Sequence, residues 1–130
     1  MVWHLSIIDP PGTPDYTDVT SNSVALKWDA PKRDGGNKIV AYNVEKRQGK
    51  GRWFKCNFSD IPESEFIAAG LAINERYEFR VTARNAIGTI SPPSQSSGYI
   101  VVRDESCKYM LISKWLNLNK QHIVLFCLKQ

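Results

Sequence analysis

From Arg76 to Arg84 polar and apolar residues alternate without a break. Tyr77, Phe79, Val81 and Ala83 fall on one side; Arg76, Glu78, Arg80, Thr82 and Arg84 fall on the other. A helix would scatter those apolar residues around its circumference. The period of two therefore predicts an antiparallel strand with a buried face and a wet face. The arginines are evenly spaced because the outer face is expected to be solvated. The same pattern recurs along the chain. SVALKWD (Ser23 to Asp29) turns Val24, Leu26 and Trp28 to one side, and IVAYNVEKR (Ile39 to Arg47) turns Val40, Tyr42 and Val44 inward. Trp53 to Phe58 is short and aromatic. Glu65 to Leu71 offers Phe66 and Ala68 inward, with Leu71 beyond Gly70, which breaks the alternation. Tyr99 to Val102 is a β-branched run after SPPSQSSG. The segments APKRDGGN, RQGKGR, DIPES and NAIGTISPP carry turn residues between them. Short strands at regular spacing, with no helical period between, predict an all-β sandwich.

Composition narrows the class without changing it. The chain has 130 residues, 42% hydrophobic and 23% charged, as expected for one globular domain with tails. The net charge of +4 is too mild to argue for nucleic acid. Cys56, Cys107 and Cys127 are odd in number and widely spaced. They suggest neither a disulfide framework nor a metal site, and reduced thiols in a reducing compartment are the simplest reading. The opening MVWHLSIIDPPG lacks the form of a signal peptide. The apolar run Ile123 to Leu128 is too short to span a bilayer.

Candidate chemistry is sparse. His4 and His122 lie outside the strand-rich region and show no metal-ligand spacing. KRDGGNK and RQGKGR fall between strands and precede no helix, so neither reads as a phosphate loop. No nucleophile elbow or carboxylate pair stands out. Lys46, Arg47, Lys50, Arg52 and Lys55 near Trp53 suggest a stacking surface, but Glu45, Asp60, Glu63 and Glu65 dilute it. Trp53 is expected instead to cover the sheet edge. The expectation is no enzyme, no catalytic residues, no cofactor, no metal, no small-molecule substrate, no nucleic acid and no membrane.

Several motifs, in order, resemble a fibronectin type III module. These are Asp9-Pro10-Pro11-Gly12, Trp28, Asp34-Gly35-Gly36, Tyr42-Asn43-Val44-Glu45-Lys46-Arg47, and Tyr77-Glu78-Phe79-Arg80-Val81. They are similar to the subfamily carried by titin, twitchin and myosin-binding protein C. The resemblance covers about Asp9 to Asp104, giving an N-terminal segment 1–8, a module 9–104 and an atypical tail 105–130. It implies an immunoglobulin-like two-sheet β-sandwich of about seven strands. Trp28 would be the core tryptophan, Tyr42 the inward tyrosine of the third strand, and Leu71 with Tyr77 the tyrosine corner. The Tyr77 hydroxyl is expected to donate to a backbone carbonyl between Leu71 and Asn74. Ala68 stands where the family usually carries something larger.

The function implied is structural. Such modules stand in tandem, act as spacers and dock thick-filament proteins, chiefly myosin, in the cytoplasm at the sarcomeric A-band. The third and sixth strands are neighbours in the family's larger sheet, so Asn43 and Glu45 should lie near Arg80 and Arg84 as a partner surface. Pro10, Pro11 and Pro14 would stiffen the junction and shield the edge strand. The alternative is a module of a cell-surface receptor or adhesion protein. Asn57-Phe58-Ser59 is its one glycosylation cue, while Arg33-Asp34-Gly35 has neither the order nor the loop of an integrin tripeptide. A third reading, a regulatory fragment, rests on the tail. After Glu105 the resemblance ends, and SCKYMLISKWLNLNKQHIVLFCLKQ is expected to be dispensable, poorly ordered or weakly helical.

Overall fold

A computed structural model describes residues 7–103, so the segments 1–6 and 104–130, including His4, His122, Cys107, Cys127 and all of the tail, lie outside it. Seven strands follow in order: β1 Asp15–Val19, β2 Val24–Lys27, β3 Ile39–Gln48, β4 Phe54–Lys55, β5 Glu65–Ala68, β6 Arg76–Asn85 and β7 Ile100–Val101. They form two antiparallel sheets, β1-β2-β5 and β4-β3-β6-β7. The inward residues of each pack against the other, as in an aligned sandwich.

The alternation in β6 has a direct outcome. Phe79 and Val81 are fully buried, with Tyr77 and Ala83 beside them. From the facing sheet come Val19, Val24, Leu26 and Ala68, with Trp28 immediately after β2. Trp28 meets Tyr42 edge to face, with ring centroids 5.4 Å apart.

Three expectations from alternation give way to local geometry. Val40 faces solvent and Ala41 is buried, because the β3–β6 register shifts between Ile39 and Ala41. A bulge inserts one residue and flips the parity before it. Glu78, on the expected wet side of β6, is buried, because the segment leading to β7 crosses that face and Ser96 bonds to it. The aromatic run Trp53–Phe58 yields only the two residues of β4, since Asn57 takes over from the backbone. Its Oδ1 accepts the Val44 N–H at 2.9 Å, and its Nδ2 donates to Asn43 Oδ1 and the Ser59 carbonyl.

The corner before β6 is closed by Tyr77, with a polarity opposite to the expected one. Its hydroxyl accepts a hydrogen bond from the Ala72 N–H at 2.9 Å. Asn74, at φ 68°, holds the left-handed turn that a short amide side chain tolerates, and its N–H donates to the Val102 carbonyl. Leu71 is buried beneath this turn.

After β6 the chain pairs back by an unusual route. Ser91, Ser94 and Ser97 donate their N–H groups to the carbonyls of Ala83, Val81 and Phe79. Their hydroxyls accept the N–H groups of the same three residues, at 2.9, 3.0 and 3.0 Å. Three residues of the segment therefore match two of the strand, like a repeated bulge. A strand carbonyl would normally be the acceptor at each step; here a serine hydroxyl replaces it.

Candidate interaction surface

The outer face of the larger sheet assembles from β3, β6 and the residues that flank β4. Glu45 stands opposite Arg80 and Arg47 opposite Glu78 in the β3–β6 register. Side chains directly across an antiparallel pair are near neighbours, and opposite charges there attract. Arg80 Nε donates to Glu45 Oε1 at 2.6 Å. Arg47 Nη2 donates to Glu78 Oε2 at 2.9 Å, and the Ser96 hydroxyl donates to Glu78 Oε1 at 2.6 Å. The Ser96 bond, followed by Arg47, holds the Glu78 carboxyl below its ordinary range despite burial.

Two like-charged guanidiniums remain diagonal to one another, and Trp53 bridges them. Arg80 lies 4.3 Å and Arg47 4.7 Å from the indole centroid. The negative π face attracts both cations. Trp53, expected to cover the sheet edge, is thus part of the outer face. The arginine pattern is legible in the sequence, but Trp53 and Ser96 are not, because their contacts arise between elements.

The four residues expected to form a partner surface share this outer face, each tied to its own neighbour. Arg80 closes on Glu45. Arg84 makes a two-pronged bond to Asp60, at 2.7 and 3.3 Å, which lowers the Asp60 pKa. Asn43 serves the Asn57 side chain. The register puts Asn43 against Thr82 and Ala41 against Arg84. The result is a continuous, charge-paired face with few free charges.

Asn57 is committed to structure as well. It is 6% exposed, and both of its side-chain donor bonds are used. A glycan on Nδ2 would replace one of its two hydrogens and break at least one of these bonds. Expression through a secretory route is therefore expected to yield chain without a glycan at Asn57, as read by mass spectrometry. Asn57→Ala is expected to cost about 1–3 kcal/mol in a denaturant titration, because the buried Val44 N–H loses its acceptor.

Other chemistry is limited among the described residues. Cys56 is half-buried, and burial pushes its thiol up to about 11, away from a reactive thiolate. No group of three or more metal-ligating side chains converges there. No helix among them is long and apolar enough to cross a membrane. An open cleft lies beside Ile7, Pro31, Lys32 and Ile39, and it joins no nucleophile to a base.

A three-on-four antiparallel sandwich closed by a tyrosine corner defines an immunoglobulin-like module. The chain belongs to the fibronectin type III family: the Fibronectin type III domain matches residues 9–98. It is similar to titin module A71 from human cardiac muscle, with 52% identity and a TM-score of 0.71, covering 75% of this chain and 95% of that one. Fast-type myosin-binding protein C of Gallus gallus is 34% identical over 107 residues, which is 79% of this chain and 10% of that protein. Slow-type myosin-binding protein C of Homo sapiens is 38% identical over 90 residues, 68% of this chain and 8% of that protein. The chain thus spans a small part of these curated relatives. As a fibronectin type III module of the titin and myosin-binding protein C kind, it is a structural, non-catalytic unit.

Proposed function

We propose that the chain is a spacer and docking module of a titin-like sarcomeric protein, working in tandem with neighbouring modules at the A-band. The observation that carries this is the placement of the two ends of the described module, at Ile8 and Val102. Ile8 bridges to Asp34, whose carbonyl is bonded by Asn85 at the end of β6. At the other end, Val102 bonds to Asn74 and Glu75, just before Arg76 opens β6. The ends are therefore separated by the length of β6, on the order of 30 Å at the usual rise per residue. Modules joined in series would each add a fixed length.

The outer face of the larger sheet suits docking to a thick-filament protein such as myosin. Its ion pairs and the Trp53 stack hold side chains in one geometry, which lowers the ordering cost on binding. Asn43, Glu45, Arg80 and Arg84 are the residues we assign to this contact. The full chain is expected to cosediment with myosin filaments, and an antibody to it to stain the A-band of striated muscle. Joint Arg80→Ala and Arg84→Ala substitution is expected to weaken cosedimentation while a cooperative thermal transition remains. Staining of unpermeabilised cell surfaces, or filament binding indifferent to the double variant, overturns the reading.

A further inference from the structure

We infer that the β4 edge of the larger sheet is a second docking site, for an acidic, extended segment of a partner protein. Its basis is independent of any thick-filament role. Along the sequence, the cations around β4 are interspersed with carboxylates. The fold separates the two. Glu45 closes on Arg80, Asp60 on Arg84, and Glu78 takes Arg47. Among the described residues no carboxylate closes on Lys50, Arg52 or Lys55, while Lys46, on the inward side of β3, turns its ammonium toward the Tyr77 ring of β6, 6.0 Å from its centroid. Lys50, Arg52 and Lys55 lie in the turn after β3, just before β4 and on β4 itself. Lys55 stands opposite Glu45, whose carboxylate is already held by Arg80 at 2.6 Å. The edge is therefore left with uncompensated positive charge.

Two aromatic side chains flank it in the open. Phe54 is 58% exposed and Phe58 102% exposed. The backbone between them is also available. The Cys56 N–H turns inward to the Val44 carbonyl at 2.7 Å. Adjacent residues of an antiparallel ladder point their polar groups to opposite sides, so Lys55 presents its N–H and C=O outward. An incoming strand can bond to these groups and lay apolar side chains against the two phenylalanines, while its carboxylates meet the lysines and Arg52.

The charge selects the occupant. A second copy approaching through the same edge would bring the same three cations, and edge lysines keep such strands apart. A nucleic acid strand is a poorer fit. It has no peptide groups to extend the sheet, and the Trp53 ring is already covered by two guanidiniums.

The test is an NMR titration of the isotope-labelled full chain with a short peptide alternating glutamate and valine. Amide shifts are expected to move at Phe54 to Phe58 and in the turn Gly49 to Gly51. Joint Lys50→Glu, Arg52→Glu and Lys55→Glu substitution is expected to weaken binding about tenfold or more, and added salt to weaken it in the parent chain. Phe58→Ala, at a wholly exposed position, is expected to weaken binding without altering the spectrum elsewhere. A peptide with proline in place of valine keeps the charge but cannot extend a sheet, and is expected to bind about tenfold less tightly. Equal binding of the proline peptide, unchanged affinity of the charge-reversed chain, shifts centred on another surface, or tighter binding of a single-stranded RNA than of the peptide would each overturn the proposal.

Discussion

Trp28→Ala is expected to destabilise the module by about 3–5 kcal/mol, the range for deleting a large core aromatic. Trp28 is 5% exposed and lies between the sheets. Its removal opens a void that Tyr42, Leu26 and Val44 cannot fill without leaving their own contacts. It also deletes the edge-to-face pairing with Tyr42, worth about 0.5–1.5 kcal/mol beyond area in such pairs. A typical domain holds about 5–15 kcal/mol, so the variant keeps a fraction of its stability. The indole N–H makes no hydrogen bond, so the loss is one of volume and packing. Trp28→Phe is accordingly expected to cost clearly less than Trp28→Ala. Denaturant titration of both variants checks this. A near-native midpoint for the alanine variant would show that the core does not rest on this ring.

The second large effect is expected from joint Ser91→Ala and Ser94→Ala substitution, at about 2–6 kcal/mol. Both serines are buried, and their hydroxyls are the acceptors for the Ala83 and Val81 N–H groups. A buried donor left without an acceptor costs about 1–3 kcal/mol, and there are two. The serine N–H bonds to the same strand would remain, so the segment should loosen before it detaches. Hydrogen exchange at Val81 and Ala83 is expected to accelerate more than exchange in β2. Ser97→Ala, at a half-buried position, is expected to have a smaller effect. If the double variant matched the parent in stability and exchange, water would be replacing the hydroxyls, and the serine ladder would not hold the segment.

These two sites mark how far the sequence can be read. Trp28 and the inward residues of β6 follow from alternation, because a strand buried on one face must repeat every two residues. The turns follow from glycine, asparagine and proline, whose backbone preferences are local. The tyrosine corner is also legible through its resemblance to the family, although the direction of its hydrogen bond is not. Whether Tyr77 donates or accepts depends on which backbone group of the turn points at it. Ser91, Ser94 and Ser97 recur every three residues, a signal that is visible but has no meaning until β6 lies alongside.

The sequence by itself determined every strand but β1, the inward face of β6 and the family. Each of these depends on residues close together in the chain or on a long pattern of residue types. The tertiary structure alone decided the rest. The bulge between Ile39 and Ala41 turned Val40 outward. Glu78 became buried because the segment before β7 crosses it. Above all, the partner of each charge was set by register. Glu45 lies beside Lys46 in sequence, yet its carboxylate closes on Arg80 of another strand. Coulomb attraction falls with distance and with solvent screening, so the pairing belongs to whichever cation the fold brings into contact. That is why a charge pattern that looks mixed along the chain separates in space into a neutral, paired face and a basic edge.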